Sequence, residues 1–226
     1  MTKTIKTATE ENYLKAIFKL SQTDLKKVSL TAIAEQMEIN SASVIDMVKK
    51  LALKGWLNYD KKNGAELTAI GQASALQIIR KHRLWEVFLY EKLRYGWDEV
   101  HSMAEQLEHI QHEDLADRLE EFLGHPEYDP HGDPIPQSNG KIPVLQGVLL
   151  KDAHIGDVCE VVAVRDTSSL FLQYLGKLSL GIGSKIKVQD KIEFDGSMII
   201  IINSQSAVTI SQKLSENLIV QIEEKL

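Results

Sequence analysis

The chain reads as an α+β protein in three parts: a winged helix-turn-helix, a helical middle and a small β-barrel. Three observations predict this. Apolar residues recur at helical spacing through Leu123, a short alternating hairpin interrupts them between Trp56 and Leu67, and from Val144 onward the apolar period falls from 3.6 to near 2. All five prolines lie between Gly124 and Pro143, which marks a linker or ordered loop between the helical and β-rich parts. The expected domains are 1–70, 71–143 and 144–226.

At 226 residues, 43% hydrophobic and 26% charged, the composition is that of an ordinary soluble globular protein with a sizeable core. No apolar run approaches the roughly 20 residues of a membrane helix. The longest candidate, Met198 to Ile202, is strand-sized, and the N-terminus lacks a signal peptide's apolar core, so the expectation is a cytoplasmic protein with no membrane partner. Cys159 is the single cysteine and sits in a strand-like run, where it reads as a packed thiol. The net charge of −6 is unevenly spread: residues 1–65 hold 11 Lys and Arg against 7 Asp and Glu. A locally basic N-terminal part fits a phosphate-facing domain, because that attraction is screened beyond roughly 10 Å.

Thr7-Ala8-Thr9-Glu10 has capping-box spacing, and Tyr13, Leu14, Ile17 and Phe18 then share one face of a first helix. Asp24 to Lys27 breaks it. Ser29 opens a second helix with Ile33, Ala34 and Met37 inward, Glu38 to Ser41 forms a polar turn, and Val44, Met47, Val48 and Leu51 define a third. Gly55 suits a helix C-terminus, and Trp56–Tyr59, a turn at Asp60–Gly64 and Ala65–Leu67 make a hairpin wing. The outward face of the third helix carries Ser41, Ala42, Ser43, Ile45, Asp46, Lys49 and Lys50. Small residues at its start let the helix approach a groove, and Lys49, Lys50, Lys61 and Lys62 can reach phosphates; no strong base-reading Arg is present.

Thr68 caps a long helix through Leu76, Leu84 and Phe88 to Leu93. With Trp97–Ile110 and Leu115–Leu123 it forms a helical domain whose excess apolar surface would be buried against a twofold copy. At about 100° per residue, His101, Glu105, Glu108, His109 and His112 fall in one quadrant of one helix, while His82 and Glu86 lie one turn apart on another. Nitrogen and carboxylate donors without thiolate suit Mn²⁺, Fe²⁺, Co²⁺ or Zn²⁺ rather than Cu⁺. In the C-terminal part, Val158–Val164, Lys185–Val188, Ile192–Phe194 and Met198–Ile202 read as strands, and Leu170–Leu180 could instead form a short helix within the barrel. No catalytic constellation appears there.

Three segments, Arg80-Lys81-His82-Arg83-Leu84-x-Glu86, Val100-His101 to Glu108-His109, and Asp129-Pro130-His131-Gly132-Asp133-Pro134-Ile135-Pro136, resemble the diphtheria toxin repressor family, the metal-dependent repressors that include a manganese branch. The resemblance covers nearly the whole chain. It implies a cytoplasmic homodimer with an N-terminal winged helix, a helical metal-binding and dimerisation domain and a C-terminal SH3-like barrel, bound to a palindromic double-stranded DNA operator. By position, His82, Glu86 and His101 resemble the ancillary metal site. Glu105, Glu108, His109 and Asn12 resemble the primary, regulatory one. Asn12 stands where the family places Met or Asp, and as a neutral donor should hold an ion more weakly than Asp. Lys15 stands where the manganese branch can supply a Glu, which argues against a two-metal cluster. Glu105 replaces the Cys of iron-type members and moves preference toward Mn²⁺, with Fe²⁺ next and Zn²⁺ or Co²⁺ possible in vitro. Asp166 is the nearest barrel ligand, His112 has no implied role, and Asp129 and Asp133 replace neutral residues at an anion pocket involving Arg83.

Two other readings are a metalloenzyme and a metal-independent winged-helix regulator whose barrel binds a partner. Against the first, His112-Glu113 is not followed by a His at the spacing of a hydrolytic zinc motif.

Overall fold

Helix α1 (Ala8–Ser21) begins where the capping signal places it: the Thr7 hydroxyl accepts from the Glu10 amide at 3.3 Å, and the Glu10 carboxylate accepts from the Thr7 amide at 3.1 Å. The structure, a computed structural model, describes residues 6–22 and 27–223, so the break expected at Asp24–Lys27 lies, Lys27 apart, outside the described residues. The chain divides into two compact units, the first holding the described residues through His82 with Gln106–Ala116 and Pro136–Lys141, the second Arg83–Glu105, Asp117–Ile135 and the chain from Ile142. None of the described helices is long and apolar enough to cross a membrane.

In the first unit, α2 (Leu30–Gln36) is capped by Ser29 and α3 (Ser41–Leu53) by Asn40, whose side-chain oxygen accepts from the Ser43 amide at 2.9 Å. At the end of α3 the Gly55 amide bonds Ala52 O and the Trp56 amide bonds Leu51 O. This is a Schellman pair, and it requires the left-handed conformation that Gly55 adopts at φ 73°. The chain then enters the wing, β1 (Leu57–Asp60) against β2 (Gly64–Leu67), in the register Leu57↔Leu67 to Asp60↔Gly64. Asp60 holds the turn by accepting from the Lys62 and Asn63 amides at 3.1 and 2.8 Å. Val28 adds a backbone bridge to Ala65 that no sequence signal indicated. Leu14 and Ile17 of α1, Ile33 of α2, and Val44, Val48 and Leu51 of α3 are fully buried together under Trp56 and Leu57. At roughly 1.5–3 kcal/mol per buried side chain, this shared core outweighs the weak propensity of helices as short as α2.

Helix α4 (Ala69–Glu91) is capped by the Thr68 hydroxyl, which accepts from the Gly71 amide at 3.2 Å. The boundary between units falls within α4 after His82, and within α5 (Val100–Leu107) after Glu105; α6 (Leu115–Phe122) follows. The second unit carries a six-stranded antiparallel sheet in the order β3-β8-β4-β5-β6-β7, built from β3 (Val148–Leu149), β4 (Val158–Val164), β5 (Lys185–Lys191), β6 (Met198–Ile202), β7 (Ala207–Ile210) and β8 (Leu218–Ile222). Register shifts at Val161/Ala163 and Val188/Asp190 curl it around Cys159, Leu172, Leu175, Ile186, Ile200 and Val220, as an SH3-like barrel requires. The run around Leu170 is helical, α7 (Ser169–Lys177), and a short α8 (Gln212–Ser215) precedes β8. Burial pushes the Cys159 thiol up to about 11, helped by Asp157 and Glu223, so it is packed and unreactive.

One expected strand is absent. Ile192–Phe194 is the turn between β5 and β6, with Phe194 97% exposed. Asp195 accepts from the Ser197 amide and hydroxyl at 3.0 and 2.6 Å, and Gly196 takes φ 70°; this turn chemistry overrides the apolar alternation.

Candidate metal centre and nucleic-acid interface

Glu108, His109 and His112 do not extend the face of α5. That helix ends at Leu107, Glu108 and His109 lie in the turn that follows, and His112 stands exposed before α6 with its Nδ1 2.6 Å from Asp114 Oδ1. From Glu108 to Asp114 only Ile110 is apolar, so another helical turn would bury almost nothing, while the turn carries Glu108 inward.

Within the first unit, that turn meets α1. Glu108 is fully buried; the Lys15 ammonium donates to both of its carboxylate oxygens at 2.6 and 2.8 Å, and His82 Nδ1 lies 2.7 Å from Oε2. His109 Nδ1 is 2.7 Å from Glu11 Oε2, and its Nε2 is 3.7 Å from Glu108 Oε1. Asn12, between Glu11 and Tyr13 on the same helix, keeps its buried Oδ1 without a hydrogen-bond partner. A buried carbonyl oxygen left unsatisfied is costly, and is the arrangement expected of a ligand oxygen that waits for a cation. The donor set of α1 and this turn, amide oxygen, carboxylate and imidazole, therefore fits a divalent transition ion. Sequence reasoning missed Glu11; its place next to Asn12 is the available signal.

Within the second unit, His101 Nδ1 lies 2.9 Å from Glu86 Oε1 and its Nε2 3.6 Å from Glu105 Oε1. Glu86 also faces a group that sequence reasoning missed: one donor atom each from Glu86, Asp129 and His131 lies within 4.8 Å of the others, all three buried. The Asp129-Pro130-His131 run is the signal that could have found it. The loop is tightly built. Asp129 Oδ1 accepts from the His131 and Asp133 amides at 2.8 and 3.0 Å, His131 Nε2 is 2.7 Å from Trp97 O, and the His131 ring stacks on Trp97. Burial, together with Glu86 and Asp133, pushes Asp129 well above the usual carboxylate range against the pull of Arg83 and His131. Burial opposes protonation of His131, but the Glu86 hydrogen bond and the charges of Glu86 and Asp129 outweigh it and raise its pKa. Arg83 donates to Pro134 O at 2.5 Å and to Asp133 Oδ2 at 3.0 Å, with Asp129 Oδ2 3.6 Å from Nε. Asp166 Oδ1 accepts from the Ser168 amide at 2.8 Å in a local turn.

On the winged helix, Ser41, Ala42, Ser43, Asp46, Lys49 and Lys50 are exposed along α3, and Lys61 and Lys62 are exposed at the tip of the wing. Lys50 is engaged: its Nζ is 2.9 Å from Glu10 Oε1, which Lys54 also contacts at 2.6 Å.

Comparison with known proteins matches residues 6–65 to the iron dependent repressor N-terminal DNA binding domain, 68–137 to the iron dependent repressor metal binding and dimerisation domain, and 148–222 to the FeoA domain. Among solved structures, a manganese-dependent transcriptional repressor in complex with manganese is 32% identical with a TM-score of 0.86, over 95% of this chain and 100% of that one. The manganese regulator SloR is 34% identical with a TM-score of 0.75, over 95% and 98%. The iron-dependent repressor IdeR of Mycobacterium leprae (strain TN) is 35% identical over 128 residues, 57% of this chain and 55% of that protein, so the match spans about half the length of this curated relative.

Proposed function

Because the chain belongs to the iron-dependent repressor family, which includes the diphtheria toxin repressor, we propose that it is a homodimeric transcriptional repressor whose grip on a palindromic operator is switched on by a divalent metal ion, Mn²⁺ in preference to Fe²⁺. The observation that carries this reading is the unsatisfied Asn12 Oδ1 on α1, in the same unit as Glu108 and His109, both of which contact that helix through Lys15 and Glu11. Asn12, Glu108 and His109, with Glu105 as the remaining expected donor, would hold the regulatory ion; His82, Glu86 and His101 are the expected ancillary set. When bound, the ion supplies a positive charge that ties α1 to the turn after α5.

The chain's own residues then transmit the constraint. Tyr13, Leu14 and Ile17 of α1 pack in one core with Ile33 of α2 and Val44 and Val48 of α3, so fixing α1 fixes the helix that presents Ser41 to Lys50. In a dimer the two copies of α3 must enter the major groove about one DNA turn, roughly 34 Å, apart, and any contact that holds α1 in the fitting position strengthens DNA binding. By linkage the operator tightens ion binding by the same factor. Carboxylate at Glu105 favours the harder Mn²⁺ over ions that prefer sulfur.

The test is fluorescence anisotropy on a palindromic promoter fragment, titrated anaerobically with Mn²⁺, Fe²⁺ and Zn²⁺ against a chelator. Mn²⁺ should raise affinity most, and His109→Ala should lose that response while retaining its fold. If no divalent ion alters DNA affinity, the metal-independent regulator is the correct reading. His109→Ala is cleaner than Glu108→Ala, which would strand the buried Lys15 ammonium at a cost of about 3–5 kcal/mol.

A further inference from the structure

Glu108 is the most deeply committed of the candidate ligands, and it already has a cation. Its side chain is wholly buried, that of Lys15 is 8% exposed, and the ammonium spans both carboxylate oxygens at 2.6 and 2.8 Å. A divalent ion taking Glu108 as ligand must approach oxygens that the ammonium, and on Oε2 also His82, already engage. Two cations on one buried carboxylate would also repel each other strongly where the dielectric is low.

Lys15 lies on the same face of α1 as Asn12, three residues on, so the two side chains are neighbours on one helix. One of them holds Glu108 directly. The other carries the unsatisfied oxygen. A lysine suits the first role because its ammonium is a compact charge on a flexible four-carbon stem and can swing away without moving the backbone.

Resting on the regulatory-site reading above, we propose that Lys15 is a resident counter-cation that the metal displaces, so that activation exchanges one latch on α1 for another: the Lys15–Glu108 ion pair in the ion-free protein, an Asn12–Glu108 bridge through the ion in the loaded one. The ion-free winged helix is then held in its own position rather than loose, and both states of the switch have a defining contact. Lys15 also sets the threshold of the sensor. The ion must outcompete an internal cation whose effective concentration is fixed, so the affinity is weaker than the donor set alone would give.

The experiment compares the full-length protein with its Lys15→Met variant by Mn²⁺ titration against a fluorescent chelator, with circular dichroism to check the fold. The variant should bind Mn²⁺ about ten-fold more tightly or better, since the ion no longer competes with the ammonium for Glu108. A folded variant with equal or weaker affinity overturns the exchange. Should Lys15→Met fail to fold, the wild-type protein decides: acetylation of Lys15, followed by mass spectrometry, should be slow without Mn²⁺ and several-fold faster at saturation, and unchanged protection overturns the proposal. If the wild-type chain binds none of Mn²⁺, Fe²⁺ or Zn²⁺, the regulatory-site reading itself falls and takes this proposal with it. Binding of Mn²⁺ with no effect of Lys15 removes only the exchange.

Discussion

Glu10 does two jobs with one side chain, capping α1 through the Thr7 amide and accepting from Lys54 and Lys50 at 2.6 and 2.9 Å. Burial by itself would raise its pKa. The two ammonium groups and the Thr7 amide overcome that penalty and bring it from 4.5 down to about 2. A carboxylate whose folded pKa is depressed contributes stability that is complete above its unfolded value and disappears as pH falls through the folded one, here between about 4.5 and 2. Lys54→Met should therefore raise the midpoint of acid unfolding and cost about 1–2 kcal/mol at neutral pH. An acid titration followed by circular dichroism checks this; a midpoint identical to that of the wild type would remove Lys54 from the account. The capping half of this arrangement was legible, because Thr7 and Glu10 are three residues apart and the motif is local. The ion-pair half was not, because Lys54 is 44 residues away and nothing in the chain pairs it with Glu10 before folding. The same divide runs through the candidate metal centre: the His and Glu side chains stand out in the sequence by type, whereas the embrace of Glu108 by Lys15, 93 residues away, does not.

Elements were legible where periodicity and local stop signals agreed. The three helices and hairpin of the winged helix carry start signals at Thr7 and Ser29 and a glycine stop at Gly55, and all of these form. Periodicity alone failed at both ends of its range: it carried α5 past Leu107 because His and Glu continued at helical spacing, and it made a strand of Ile192–Phe194. Strands β3, β7 and β8 went unread: β3 has only two residues and β7 four, and the pairing of β8 between β3 and β4, both distant in sequence, leaves no local mark. Two glycines separate strain from crowding. At Gly55, φ is 73° and a Cβ would meet nothing within 4 Å, so Gly55→Ala should cost only the left-handed penalty, about 1 kcal/mol. At Gly132, φ is 85° and a Cβ would lie 2.0 Å from Val162 O and 2.6 Å from Ala163 Cα, so the loop that carries Asp129 and His131 must move off β4. Gly132→Ala should cost at least about 2 kcal/mol more than Gly55→Ala in urea unfolding. Equal costs would show that the approach of this loop to β4 is not tight in solution.

On the scale of the whole chain, the net charge of −6 opposes any polyanion, and the concentration of cations in the first 65 residues is what offsets it locally. Attraction must then come from a few lysines within a Debye length of the phosphates, which makes binding strongly salt-dependent and lets the share of each lysine be measured separately. Lys49 is exposed on α3, whereas Lys50 is held by Glu10 at 2.9 Å and has part of its charge spent inside the domain. Replacing Lys49 with alanine should weaken binding to operator and random DNA alike. It should also reduce the slope of log affinity against log salt by roughly one for each phosphate left without its lysine, hence about two for the proposed dimer. Lys50→Ala should change that slope less and stability more, because it removes a partner of buried Glu10. The measurement is anisotropy at several salt concentrations with saturating Mn²⁺. A slope untouched by Lys49→Ala would take this lysine off the phosphate backbone, and a larger slope change from Lys50→Ala would mean that DNA pulls Lys50 away from Glu10 and recruits it to the interface.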